Sequence, residues 1–127
     1  MKNLTKIAVC FFMAASVAAT YPAFANPPTY EGVTIAFERT LAKIEEAISA
    51  MEKGVDNATI MKMINEAYQL QKEILNNEID VRRSRASNKL KKARVEISKG
   101  ELQPAEQLLR EALKDYQEIK KIYDSTL

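Results

Sequence analysis

Apolar side chains recur every three or four positions in four stretches of the chain, with polar residues between them. This spacing predicts amphipathic α-helices, and no stretch alternates as a β-strand would. We expect four helices. The first covers about 33–53 and the second begins at Asp56-Asn57. The third ends at Lys99 and the fourth begins at Pro104. The predicted core positions are Phe37, Leu41, Ile44, Ile48, Met51, Ile60, Met63, Ile64, Ala67, Leu70, Ile74, Ile79, Ala86, Leu90, Ala93, Ile97, Ala105, Leu108, Leu109, Ala112, Tyr116, Ile119 and Tyr123.

These helices are expected to pair as two hairpins, because Gly54 and Gly100 each follow a lysine at the end of a predicted helix. Residues 63–67 resemble residues 108–112, and the offset between the hairpins is 46 residues at the glycines and 45 beyond them. A duplicated hairpin whose first loop is one residue longer is therefore one hypothesis. The sequence predicts an all-α fold, an antiparallel four-helix bundle made of two helical hairpins.

The join between the second and third helices is less defined than the other two. Residues 76–80 contain neither Gly nor Pro, the residues that most often interrupt a helix. One alternative is therefore a continuous long helix, which favours a swapped or elongated homodimer.

The chain begins with the pattern of a secretory signal peptide, in which Lys2 and Lys6 precede an apolar stretch over 7–19 and the small-x-small sequence 23–25. Cleavage after Ala25 divides the chain into a signal peptide, residues 1–25, and one four-helix domain, residues 26–127. The apolar stretch is shorter than the ~20 residues of a spanning helix, so we expect a periplasmic protein that is not an integral membrane protein. The single cysteine, Cys10, lies in the signal, so the exported domain is expected to lack disulfides.

Composition excludes much catalytic chemistry, because the chain contains no His. There is no imidazole base, no Ser-His or Cys-His nucleophile, and no His ligand for zinc or haem. Glu66 and Glu111 occupy equivalent positions of the two hairpins, but no Glu-x-x-His motif completes a di-iron centre. We therefore expect that the protein is not an enzyme.

Methionine thioethers are soft ligands that suit Cu(I), and Met51, Met61 and Met63 are candidates. Met51 and Met63 lie on the apolar stripes, where methionine is a common core residue. Met61 and Met63 point about 200° apart around a helix and cannot share one metal ion. The sequence thus predicts no cofactor, with copper as an alternative.

Charge is distributed unevenly along the predicted domain. Without Lys2 and Lys6 the chain has seventeen basic and seventeen acidic side chains. Residues 26–80 carry five basic and ten acidic side chains, whereas residues 81–127 carry twelve and seven. The difference indicates either mutual neutralisation of paired helices, the interpretation we favour, or a basic face for an acidic partner.

The third helix carries the most distinctive local feature, seven cations and no acid between Arg82 and Arg94. A possible basic binding face consists of Arg82, Arg85, Lys89 and Lys92. Such a face suits an acidic protein or an anionic surface. A nucleic-acid partner is not expected, because the protein is predicted to be exported and the run has no aromatic side chain. The interpretation we favour is instead a solvated face, partly matched by four acids of the first helix. These acids are Glu38, Glu45, Glu46 and Glu52.

The predicted layout resembles the soluble periplasmic cytochrome b562 family and, more loosely, the small periplasmic metal-binding bundle proteins. The similar stretches are 51–53 with 56–58, and the last hairpin from Gly100 to Tyr123. The resemblance implies a four-helix scaffold, in which that family holds haem with a Met of the first helix and a His of the fourth. Leu41 and Lys120 stand at those two places, and a shifted alignment offers Met51 or Tyr123.

Two functional hypotheses follow from the sequence. The first is a non-catalytic periplasmic bundle, cytochrome b562-like but without haem, that acts as a binding or adaptor protein through its charged faces. The alternative is a haem or copper protein in electron transfer or metal handling, with ligands other than those that the alignment selects.

Overall fold

The computed structural model describes residues 29–127, which form four α-helices and no strand within that range. They are α1 (Tyr30–Glu52), α2 (Asn57–Gln71), α3 (Asp80–Ser98) and α4 (Leu102–Ser125). Each helix packs against its neighbour in sequence and α1 packs against α4, while the two diagonal pairs make no close backbone contact. The result is the predicted four-helix bundle. The predicted signal peptide, residues 1–25, lies outside the described residues.

The two hairpin loops are built by glycines in the left-handed region, as predicted. Gly54 has φ 75° and Gly100 has φ 79°. After α1, the amide of Gly54 donates to the carbonyl of Met51 and that of Val55 donates to Ala50. This pair of bonds, a Schellman motif, occupies carbonyls that the helix end leaves free.

The loop after α3 repeats this arrangement. The amide of Gly100 donates to Ile97, and that of Glu101 donates to Glu96. The first loop spans 53–56 and the second spans 99–101, so the first is one residue longer, as the offset predicted.

The α2–α3 join is a loop, so the predicted separate helices are confirmed and the alternative of one continuous helix is wrong. α2 ends at Gln71 and α3 begins at Asp80, so eight residues separate the two helices. The Asn76 side chain accepts a hydrogen bond from the amide of Glu78 at 2.9 Å, which forms an Asx turn. Ile74 and Ile79 are fully buried and anchor the loop to the core. Burial of these two isoleucines holds the chain in a loop between the helices, although the segment contains neither Gly nor Pro.

The helix α1 begins three residues earlier than the apolar spacing predicted. The hydroxyl oxygen of Thr29 accepts a hydrogen bond from the amide of Gly32 at 3.0 Å and caps the helix. The Tyr30 ring stacks on that of Tyr123, with ring centres 5.9 Å apart. A cap and an aromatic contact with α4 thus extend α1 to Tyr30.

Equivalent positions of the two hairpins have equivalent environments. Lys43 of α1 lies 3.6 Å from Glu66 of α2, and Lys89 of α3 lies 3.6 Å from Glu111 of α4. These residues are related by the offsets of 46 and 45, and so are four pairs of buried residues. The pairs are Ile44 with Leu90, Ala47 with Ala93, Ile64 with Leu109, and Ala67 with Ala112. The repeated ion pair and core support the hypothesis of a duplicated hairpin.

Candidate functional site

The seven cations of α3 divide between the two flanks of the helix. Arg82, Arg85 and Lys89 line a groove against α4, and Lys92 follows them at helical spacing. The remaining three, Arg83, Lys91 and Arg94, contact side chains of α2 or its end. The four residues of the predicted basic face therefore lie together on the flank that faces α4.

The groove between α3 and α4 has a volume of about 270 Å³ and walls of opposite charge. Arg82, Arg85 and Lys89 form the basic wall. Asp115 and Glu118 stand on the side of α4. The remaining lining residues, Ile119 and Ile122, supply apolar surface between the charges.

Lys89 is the member of the basic face whose charge is matched inside the protein. Its ammonium lies 2.7 Å from a carboxylate oxygen of Asp115 and 3.6 Å from one of Glu111. The hydrogen bond with Asp115 raises the pKa of Lys89, and the two carboxylates add to this effect through their charge. By contrast, Arg82, Arg85 and Lys92 have no carboxylate within 4 Å among residues 29–127.

The acids of α1 do not match this face, contrary to the interpretation that we favoured from the sequence. The helices α1 and α3 are diagonal in the bundle, so the nearest carboxylates come from α4. Glu46 pairs with Lys43 of its own helix at 3.2 Å. Glu52 pairs with Arg110 of α4 at 2.8 Å. Glu38 and Glu45 are exposed on the surface of α1.

The opposite flank of α3 forms a second cationic site, which the sequence did not predict. The ammonium groups of Lys72 and Lys91 lie 5.1 and 5.2 Å from the centre of the Tyr68 ring. Lys91, and then Lys72 and Arg94 through their charge, lower the pKa of the Tyr68 phenol. The spacing of Tyr68 and Lys72, one turn apart at the C-terminal end of α2, was the available signal.

A polar cluster crosses the core between α2, α3 and α4. The Oε1 atom of the buried Gln71 accepts hydrogen bonds from Nη1 of Arg83 at 3.1 Å and from the hydroxyl of Tyr116 at 3.2 Å. Nη2 of Arg83 donates to Asp80 at 2.7 Å, while its buried Nε has no partner among the described residues. Burial raises the pKa of the Tyr116 phenol far above its ordinary value.

The positions that align with the haem ligands of the cytochrome b562 family have no suitable donors. Leu41 has no donor atom and is half-buried against the core. Lys120 donates a hydrogen bond to Asp124 at 2.9 Å, which raises its pKa and keeps the ammonium protonated. The two alternative ligands, Met51 and Tyr123, are also held in packing contacts. Met51 lies against the core, and the centre of the Tyr123 ring is 5.7 Å from that of Phe37.

The other candidate ligands likewise belong to packing or ion pairs. Met51, Met61 and Met63 are half-buried against the hydrophobic core. Glu66 and Glu111 each face the lysine of their own hairpin. In the part of the chain that the structure describes, no three His, Cys, Asp or Glu residues cluster as a metal site.

No family model, curated protein or solved structure matches this chain. None of the helices within residues 29–127 combines the length and the apolar character needed to cross a bilayer.

Proposed function

We propose that this protein is an exported, periplasmic binding or adaptor protein that performs no catalysis. In this proposal the four-helix scaffold is similar to that of the cytochrome b562 family without its haem ligands. The basic face of α3, defined by Arg82, Arg85, Lys89 and Lys92, makes the contacts with an acidic partner. The observation that carries the proposal is that three cations of this face, Arg82, Arg85 and Lys92, have no carboxylate within 4 Å among residues 29–127.

The geometry suits an acidic, amphipathic segment of a protein partner. Arg82 and Arg85 offer guanidinium groups, which form two parallel hydrogen bonds with a carboxylate. Ile119 and Ile122 add an apolar surface between the walls of the groove. Lys89 is already held by Asp115, so we assign it the role of keeping α3 and α4 in register beside the groove.

The test is the binding of a fluorescent peptide of alternating Glu and Leu residues, followed by anisotropy. We expect saturable binding that weakens by about tenfold between roughly 50 and 300 mM salt, because exposed ion pairs are screened. The double variant R85E/K92E should reduce the affinity by a further factor of about ten, since it reverses two cations of the contact surface.

The matched control is K114E/K121E, which makes the same change in net charge on the outer surface of α4, where both lysines are exposed. We expect this control to keep the affinity of the unmodified protein within about twofold. An equal loss in the two variants, or binding that is indifferent to salt, would overturn the proposal.

A further inference from the structure

A second cationic site lies on the α2 flank of α3, away from the groove described above. We name it the Tyr68 seam, and it consists of Asn65 and Tyr68 of α2, Lys72 directly after the end of α2, and Lys91 and Arg94 of α3. These side chains stand one helical turn apart on each helix, so they form two parallel rows. Arg94 ties the rows together, because its Nη1 donates to Oδ1 of Asn65 at 2.8 Å.

The Tyr68 ring brings the two lysines of the seam together. Their ammonium groups both lie within about 5.2 Å of its centre, a distance at which the ring quadrupole attracts a cation. The attraction opposes the mutual repulsion of like charges from two different segments of the chain. A neutral ring thus attracts a cation from each of the two segments at a place where an acid would normally be needed.

No carboxylate compensates this cluster within residues 29–127. None of the ion pairs of the described chain includes Lys72, Lys91 or Arg94. The nearby acids are directed elsewhere, since Glu66 faces Lys43 of α1 and Asp80 pairs with Arg83. The seam therefore combines three uncompensated cations with the phenol hydroxyl as a further donor.

We propose that the Tyr68 seam is a binding site for a phosphate group. Three cations grouped around the Tyr68 side chain suit a compact anion that carries close to two charges and accepts several hydrogen bonds. The phosphate can belong to a small soluble molecule or to a phospholipid headgroup. Val95, which is 46% exposed on α3 next to Arg94, offers an apolar contact to a lipid.

The site is independent of the proposed function, because it uses the other flank of α3 and different cations. Its test is an NMR titration of the purified protein with inorganic phosphate, in which sodium chloride keeps the ionic strength constant. We expect saturable shifts of the backbone amides of Tyr68, Lys72, Lys91 and Arg94, with smaller changes at the groove.

The decisive variant is K72Q/K91Q, which removes two charges from the seam at exposed positions. We expect it to weaken phosphate binding by about tenfold, since charge-assisted hydrogen bonds dominate such a contact. The control K114Q/K121Q removes the same charge from α4 and should bind phosphate like the unmodified protein. Circular dichroism checks that both variants keep the helical fold.

A second arm identifies the source of the phosphate by sedimentation with vesicles of phosphatidylglycerol and phosphatidylcholine, and with phosphatidylcholine alone. Binding to the anionic vesicles that K72Q/K91Q abolishes supports a lipid headgroup, and a response to inorganic phosphate alone supports a soluble ligand. The proposal is overturned if neither arm responds, or if the seam variant and the α4 control respond equally. R85E/K92E should leave the phosphate shifts intact, which separates this result from the test of the proposed function.

Discussion

At the scale of single residues, the most unusual feature is an amide in the centre of an apolar core. Gln71 is 2% exposed and joins Tyr116 and Arg83 by hydrogen bonds. Gln71 and Tyr116 are also equivalent positions of the two hairpins, separated by 45 residues. Two equivalent side chains therefore meet across the bundle and share a hydrogen bond.

Replacement of this amide tests how much the cluster contributes to stability. We expect Gln71→Leu to lower the free energy of unfolding by about 1–3 kcal/mol, because it leaves the Tyr116 hydroxyl and one Arg83 donor without an acceptor. The exposed Gln69→Leu on the same helix should change it by less than about 0.5 kcal/mol. Urea denaturation measures both. Equal effects would show that the cluster adds nothing beyond ordinary packing.

Burial of Tyr116 also predicts a dependence of stability on alkaline pH. The phenol ionises in the unfolded chain near its ordinary pKa of 10.0, whereas burial raises its pKa in the folded protein. The folded state therefore binds more protons above pH 10, so its stability falls as the pH rises. We expect the urea midpoint to decline above pH 10 and Tyr116→Phe to reduce that decline.

The ion pair of Lys89 also makes the stability of the fold decrease at alkaline pH, for a different reason. Its hydrogen bond with Asp115 raises its pKa above 10.5, so the stabilisation is complete below that pH and disappears as the ammonium deprotonates in the folded protein. Some decline should thus remain in Tyr116→Phe. A slope that is identical in the variant and the unmodified protein would contradict the assignment to Tyr116.

At the scale of elements, the three connections end their helices by two different physical means. The loops within the hairpins use Gly54 and Gly100 at positive φ, a conformation that costs other residues free energy. The α2–α3 connection instead uses an Asx turn at Asn76 and the burial of Ile74 and Ile79. Glycine is visible in a sequence as a stop, whereas an isoleucine that becomes a loop anchor looks like one more core position.

The anchor predicts a contrast between two neighbouring apolar residues of this loop. Ile79→Ala should lower the free energy of unfolding by about 2–4 kcal/mol, since it leaves a cavity at a fully buried position. Leu75→Ala should cost less than about 0.5 kcal/mol, because Leu75 is 49% exposed. If the two variants have similar urea midpoints, burial of Ile79 does not hold the connection in place.

At the scale of the whole molecule, the opposite charges of the two halves meet at few points. The ion pair of Glu52 with Arg110 at 2.8 Å joins α1 to α4, while the pairs of Lys43 and Lys89 lie within their own hairpins. Most of the excess positive charge of residues 81–127 therefore stays on the surface of α3. Internal ion pairs between the two halves therefore neutralise little of this excess.

The same architecture predicts the outcome of a hemin titration. We expect no saturable one-to-one Soret spectrum under oxidising or reducing conditions, because Leu41 has no donor and Asp124 keeps Lys120 protonated. The titration uses the purified protein without added imidazole. A saturable low-spin spectrum would contradict this expectation and restore the electron-transfer alternative.

The sequence by itself determined the helices, the hairpin loops and most of the core. Periodicity and glycine act locally, so Phe37, Ile44, Leu90 and Leu109 could be assigned to the interior from spacing alone. The same spacing placed Arg82, Arg85, Lys89 and Lys92 on one surface of α3. These are properties of a single helix, and neighbours in the fold change them little.

Only the tertiary structure decided which charges meet. α4 rather than α1 supplies the carboxylates beside Lys89, because the order of the helices around the bundle makes α1 and α3 diagonal. The Tyr68 seam likewise needs the register between α2 and α3, which brings Lys91 to a ring 23 positions earlier in the chain. Contacts between helices depend on the packing angle and offset of whole elements, and no local pattern in the sequence encodes those quantities.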